Sequence, residues 1–334
     1  MHTRTVLLKV ALFALMPIVP GQNMVTGAGY RDPVPIPVAP GQVVTVFAAG
    51  VGTDLTQTVV APPGTLPTTL AGISVTVEQG KDYAAPILQV RPISGACVGC
   101  GTLAAITIQI PYEIRPPCPF GIVCPIDPAA PVVVRMAVSE NGTAGPFVIL
   151  NVVQDQIHIL TGCDNVLPNT GGNPLFPCQP LVTHADGSLV TVKAPAQPGE
   201  ELVAYAVGLG TTNPPAVTGQ GAAGATPTAE TFTLDFNYRA NAGPTRAPRP
   251  VGSPPTDPKP IYAGLTPGYA GLYQINFRVP APSSPEEVAG CVDPNTATPG
   301  TVVVQSNFTV TVVGDTSFDG AGICVAVPAA GSGH

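Results

Sequence analysis

The sequence predicts an all-β protein made of two β-sandwiches in tandem behind a short N-terminal leader. Three observations carry that prediction. The composition forbids long helices. Apolar residues alternate with a period of two in short runs. Those runs recur in the same order in both halves of the chain.

The chain has 334 residues, 45% of them hydrophobic, and a mean hydropathy of +0.32, so apolar material for a core is plentiful. Charged residues are only 10%, against roughly 25% in ordinary soluble domains. Pro 42 and Gly 37 make up about a quarter of the chain. Each proline inside a helix costs roughly 3 kcal/mol, which excludes long helices. The Val, Ile and Leu content is too high for disorder. What remains is short strands joined by ordered loops.

The leader is residues 1–22. His2, Arg4 and Lys9 form a basic start, Val10 to Val19 (VALFALMPIV) an apolar centre, and Pro20-Gly21-Gln22 a turn. That order is a secretory signal. Ten apolar residues are too few to cross a bilayer of roughly 30 Å as a helix, and no later segment is a candidate span. Loss of the leader takes the formal charge from −7 to −9, because Arg4 and Lys9 leave with it. An acidic chain disfavours nucleic acid and anionic membrane surfaces as partners. The expected location is secreted or cell-surface.

The repeat is read from three blocks. PGQVVTVFAAGVG (40–52) matches PGEELVAYAVGLG (198–210) at an offset of 158. AITIQIPYEI (105–114) matches YQINFRVPAP (273–282), with Ile106, Ile108, Ile110 and Pro111 over Ile275, Phe277, Val279 and Pro280, at 169. PVVVRM (131–136) matches TVVVQS (301–306) at 170. Within the second copy, Tyr273, Ile275, Phe277 and Val279 face inward and Gln274, Asn276 and Arg278 outward, as a half-buried strand requires. Pro280 ends that strand. Pro267-Gly268 signals a type II turn in a loop read as a rigid crossover into the strand. Asp186-Gly187 signals a hairpin. Two packed antiparallel sheets per copy follow. The predicted division is residues 23–162, a disulfide-closed linker loop at 163–180, and residues 181–334.

YAGLTPGYAGLYQINFRVP (262–280) resembles the signature of the Solibacter-type uncharacterised C-terminal domain family of exported bacterial proteins. HADGSLV with PAQPGEELVAYAVGLGTTNPP is similar to that family's other block, so the resemblance covers about residues 181–313. The copy at 40–136 resembles the Ig-like unit of the IPT/TIG type. The resemblance implies Ig-like sandwiches and export, and brings no activity with it. The proline-rich stretch 211–260 and the cysteine-bearing insertions depart from the family pattern.

The eight cysteines are Cys97, Cys100, Cys118, Cys124, Cys163, Cys178, Cys291 and Cys324. An even set within loops of an exported chain predicts disulfides. Cys163 is paired with Cys178 around a loop of turn formers, and Cys291 with Cys324 through a return strand at 323–327 beside a strand at 301–313. Three connectivities are open to the other four. Local pairing strains the first bridge, and cross-pairing of CVGC (97–100) with CPFGIVC (118–124) is preferred because Pro116, Pro117 and Pro119 can turn the chain back. A four-thiolate zinc site is disfavoured by the five-residue second spacing, and a redox role by the lack of a following helix.

No catalytic set emerges. GQGAAG (219–224) has the Gly-x-Gly-x-x-Gly form but no helix after it to hold a pyrophosphate, and reads as a flexible loop. GDTSFDG (314–320) lacks calcium-loop spacing and reads as a solvated hairpin. Apart from His2 and the tail His334, the histidines are His158 and His184. Glu286 and Glu287 are adjacent and solvated. Asn141 and Asn307 head glycosylation-type triplets of no expected use. Tyr262 and Tyr269 are the candidate ligand platform. The expectation is a non-enzymatic exported protein, without cofactor or metal, that binds a protein or glycan at the cell surface or builds structure there. The alternative is a polysaccharide-binding module or weak extracellular hydrolase.

Overall fold

The computed structural model describes residues 24–28, 36–93, 102–116, 133–162, 164, 179–236, 238, 259–282, 291, 307–312 and 318–326. Among these residues there are twenty-one strands and no helix. The first half holds β1 (Met24–Ala28), β2 (Ile36–Val38), β3 (Val43–Ala49), β4 (Val59–Val60), β5 (Thr69–Leu70) and β6 (Ile73–Glu78). It continues with β7 (Asp82–Ala85), β8 (Ile87–Ile93), β9 (Leu103–Gln109), β10 (Val134–Glu140), β11 (Thr143–Ala144) and β12 (Val148–Val152). The second half holds β13 (His158–Ile159), β14 (Val182–His184), β15 (Glu201–Val207), β16 (Thr226–Pro227) and β17 (Phe232–Phe236). β18 (Tyr262–Leu265), β19 (Tyr273–Arg278), β20 (Phe308–Val312) and β21 (Phe318–Ala321) complete it.

One sheet of the first half has the order β1-β3-β9-β8-β4, and the facing sheet β2-β12-β10-β6-β5. Their inward side chains share one core, with Val44, Val46, Ile106 and Ile108 from the first sheet meeting Val75, Val77, Met136 and Leu150 from the second. The second half repeats this. Its sheets run β13-β15-β19-β18-β16 and β17-β20-β21 and share a core built on Phe236, Ile275, Phe277 and Phe308. Phe277 stacks on Phe308 with ring centroids 4.3 Å apart. Lettered in chain order, both halves have strands A, B, E and D in one sheet and C, F and G in the other, the arrangement of an Ig-like sandwich.

The repeat holds to the residue in the first two blocks, while the third, 301–306, lies outside the described residues. Val44 stands opposite Ile108 and Leu202 opposite Phe277. These are the same pair displaced by 158 and 169. The bonds that close the strand ends also correspond. Gly41 N donates to Ile110 O (3.0 Å) and Ile110 N to Gln42 O (2.8 Å), while Gly199 N donates to Val279 O and Val279 N to Glu200 O, both at 2.8 Å. Gly41 and Gly199 carry φ of 74° and 84°, a region that glycine enters without strain.

Three expectations change. The segment 262–280 is a hairpin, not a crossover, since β18 and β19 pair antiparallel with Ala263 opposite Ile275. Tyr269 N donates to Thr266 O at 3.2 Å around Pro267-Gly268, with Gly268 at φ 83°, which is the type II turn. Second, the division after residue 162 moves toward the N-terminus. β13 pairs with β15, and Ile157 and Ile159 lie in the second core. Third, the return strand beside β20 is β21 at 318–321, and the chain at 324–326 instead joins Ala196.

The sandwiches are joined by a seam. The outward face of the first sheet would ordinarily meet water, yet Thr45, Gln89, Thr107 and Gln109 on it are buried. Val43 and Leu88 on that face pack with Leu160, Val207 and Leu272 of the second sandwich. Gly219 N donates to Gln109 Oε1 (2.7 Å) and Leu66 N to Gly219 O (2.8 Å). Thus GQGAAG is a packed docking loop rather than a flexible one. A Cβ on Gly271 would stand 2.7 Å from Gly41 O, so only glycine lets the two backbones approach there. Tyr273 is fully buried and its hydroxyl donates to Gly210 O. Its proton being used, the Tyr112 hydroxyl of the first sandwich donates to it at 3.0 Å. Burial pushes the Tyr112 phenol up to about 12 against the opposing pull of that bond, and holds Tyr273 well above its ordinary value. Both stay protonated at ordinary pH.

The domain boundary is open to test by truncation. A chain starting at residue 154 keeps β13, whereas one starting at 163 loses the buried Ile157 and Ile159. The shorter chain is expected to be less stable by at least about 4 kcal/mol, from roughly 2 kcal/mol per buried isoleucine, with the loss of the His158 clamp to Asp319 adding to it. Urea titration of the two oxidised fragments measures this, and equal midpoints would place the boundary back at 163.

Candidate functional site

The outward face of β10 and β12 is the exposed apolar surface with the most definite geometry. Alternation sends Val134, Met136 and Val138 of β10 and Leu150 and Val152 of β12 into the core. Their neighbours point out. Val133 is 52% exposed, Phe147 52% and Ile149 55%. Single exposed apolar side chains are ordinary, but these three share one face. Arg135 is the cation among them, directly opposite Ile149 on one side and Glu78 of β6 on the other. Its Nη2 donates to Glu78 Oε1 at 2.5 Å, and its guanidinium carbon lies 5.0 Å from the centroid of the Phe147 ring. An exposed ion pair contributes at most about 1 kcal/mol, and a cation over an exposed ring a similar amount. Their effect is to fix the side chains in place. The face carries three exposed apolar side chains around the Arg135–Glu78 ion pair, with exposed Asn151 beside Ile149 in the alternation of β12. It has the composition of a protein-contact surface, where aromatic residues and Arg are favoured.

The predicted platform divides. Tyr262 lies on β18, and its hydroxyl accepts from Thr226 N and donates to Leu265 O, both at 3.0 Å. It secures the β16–β18 edge. Tyr269 stands 55% exposed in the type II turn. Cys291 and Cys324 are bridged, with Cα atoms 5.4 Å apart. Cys97, Cys100, Cys118, Cys124, Cys163 and Cys178 lie outside the described residues, as do Glu286, Glu287 and Asp315. Asn307 is buried, exchanging two 2.8 Å bonds with the backbone of Ile323. Asn141 is exposed in the turn between β10 and β11.

Both histidines among the described residues are clamps. His158 Nδ1 lies 3.0 Å from Asp319 Oδ2, and Nε2 lies 3.0 Å from Asp164 Oδ2. A carboxylate accepts only, so both ring nitrogens carry protons and the ring is cationic. Asp319 also accepts from Ile159 N, and Asp164 from Thr161 N and Oγ1. Asp319 is therefore a strand residue holding β13 to β21, not part of a solvated loop. Burial lowers the His158 pKa, but the bonds and charges of Asp164 and Asp319 outweigh it and raise the value to about 9. His184 Nδ1 contacts Glu200 Oε1 at 2.5 Å and Nε2 contacts Ala194 O at 3.1 Å. The Glu200 bond, against a smaller desolvation, raises its pKa as well. Among the described residues no group of three or more His, Cys, Asp or Glu is arranged to hold a metal.

No protein-family model matches the chain, and no curated protein matches it. Among solved structures, bovine butyrophilin is similar at 9% identity, over 87% of this chain and 95% of that one, with a TM-score of 0.18. A score that low carries no argument, and the Ig-like assignment rests on the strand order.

The His158 clamp makes stability depend on pH in a defined direction. Its folded pKa of about 9 exceeds the ordinary 6.5. The contribution is therefore complete below pH 6.5 and is lost as pH rises through 9. It amounts to roughly 3 kcal/mol. His158→Gln is expected to lose that stability at pH 6 and to flatten the profile between pH 6.5 and 9. Chemical denaturation across that window, wild type against variant, measures it.

Proposed function

We propose that this chain is an exported, non-enzymatic Ig-type protein that binds a protein partner at the cell surface through the β10–β12 face. The observation that carries the reading is the exposure of Val133, Phe147 and Ile149 on the outward side of β10 and β12, around Arg135. The commitment of His158 and His184 to internal carboxylates supports a role without catalysis. The resemblance of residues 181–313 to the Solibacter-type family and the leader at residues 1–22 support export. The Cys291–Cys324 bridge suits an oxidising compartment.

Ile149→Asp and Phe147→Asp leave the core side of β12 intact and place a charge on the face. Each is expected to cut capture of an envelope partner by tenfold or more in pull-downs with the purified chain. Undiminished capture by both variants would remove this face from the reading. A second reading, glycan binding, rests on the exposed Tyr269. Glycan-array binding that Tyr269→Ala abolishes, with no effect of Ile149→Asp, would favour it.

Leader removal has a structural limit. β1 begins at Met24 and pairs with β3, Met24 opposite Ala49. Cleavage before Met24 keeps the strand whole, so N-terminal sequencing of the exported protein is expected to read a start in the range 20–24. A start at 29 would mean the mature sheet lacks its first strand.

A further inference from the structure

We propose that the chain is a load-bearing tether, in which tension between its two ends shears a parallel pairing of terminal segments in each sandwich, two strands in the first and a single bridge in the second. The proposal concerns how the chain carries force and holds whatever it binds.

The pairing of named strands is antiparallel throughout the described residues except at one place. β2, near the start of the first sandwich, runs parallel to β12, its last strand. Ile36 lies opposite Leu150 and Val38 opposite Val152. Val153 N donates to Val38 O at 2.9 Å. Tension draws Ile36 toward the N-terminus and Val152 toward the C-terminus, along the strand axis and in opposite directions. Every bond between the two strands is then loaded at once. An antiparallel hairpin pulled at its open end breaks its bonds singly instead.

The second sandwich repeats the device. Ala196 forms a parallel bridge with Val325. Ala196 N donates to Cys324 O (2.9 Å) and Ala326 N donates to Ala196 O (2.8 Å). Position 196 is position 38 displaced by the repeat offset of 158, so the clamp is part of the duplicated plan. Here it is anchored covalently, since Cys324 is bridged to Cys291. β1 in the first sandwich, and β13 and β14 in the second, precede the clamps along the chain and can peel without releasing them.

Between the clamps the chain is strapped down. Gln156 N donates to Gly208 O at 2.8 Å. A Cβ on Gly208 would fall 2.0 Å from Gln156 O, and one on Gly210 would fall 2.6 Å from Gln154 O. The connector therefore lies flat on the second sandwich, and the seam carries load alongside it.

Single-molecule stretching of the full oxidised chain, held by its ends, tests the proposal. Val153→Pro removes the N–H that bonds Val38 O, and Ala326→Pro the one that bonds Ala196 O. Each is expected to speed unfolding of its own sandwich under constant load about fivefold, the factor for one lost hydrogen bond. Val46→Ala truncates a fully buried core side chain away from the clamp. It is expected to lower the denaturation midpoint more than either proline variant and to change the rate under load less than about twofold. Rates under load that follow equilibrium stability, with Val46→Ala the fastest, would overturn the proposal. So would proline variants that unfold under load at the wild-type rate. If Val153→Pro fails to fold by circular dichroism, Ala326→Pro carries the same test in the second sandwich.

Discussion

Both sandwiches depend on one antiparallel pairing, β3 with β9 in the first and β15 with β19 in the second. A slip of one residue in either would turn Ile106 and Ile108, or Ile275 and Phe277, out of the core and bring polar neighbours in. The Pro-Gly corners at Gly41 and Gly199 prevent the slip. Each places its glycine at positive φ and exchanges backbone bonds with the far end of the partner strand, at Ile110 and Val279. With that register fixed, β8 and β18 dock on the other side of the pair, and the facing sheets close over the inward residues.

The outward side of the same pairing joins the two halves. Thr107 and Gln109 alternate with Ile106 and Ile108 on β9, and they are buried because the second sandwich covers them. Buried polar groups need partners. Gln89 Nε2 donates to Thr107 Oγ1 at 3.3 Å, and Gln109 accepts from Gly219. The seam therefore matches directed bonds as well as apolar surface, which specifies one docking of the two halves. A purely apolar seam of the same area would tolerate several.

Much of this was legible in the sequence. The two-residue period marked β9 and β19, and the matched Pro-Gly blocks marked β3 and β15. The offsets of 158 and 169 imply that both copies share one register, and the structure shows which one, with Val44 opposite Ile108 and Leu202 opposite Phe277. Cys291 and Cys324 were legible as a pair, although Cys324 lies past β21, in the segment that bonds to Ala196. Other features could not be read for physical reasons. β13 is two residues long, too short for a period, and its membership in the second sandwich depends on contacts with distant residues. The seam joins outward faces whose polar alternation looks like solvent exposure. The run PFVILNVV (146–153) is apolar at both phases of the period, so Phe147 and Ile149 could not be told from Leu150 and Val152 until β12 was seen against its sheet. The clamp on His158 required Asp319, 161 residues away.

The outer edges of the two B–E sheets carry one further consequence. β4 and β16 are each two residues long, and proline lies within or just beyond both, at Pro62-Pro63 and Pro227. A long unpaired edge is a template on which a neighbouring chain can add a strand. These edges offer too few consecutive donors for that. Many copies crowded side by side on a surface would therefore remain separate molecules along these edges, without fusing through continuous sheet into fibres.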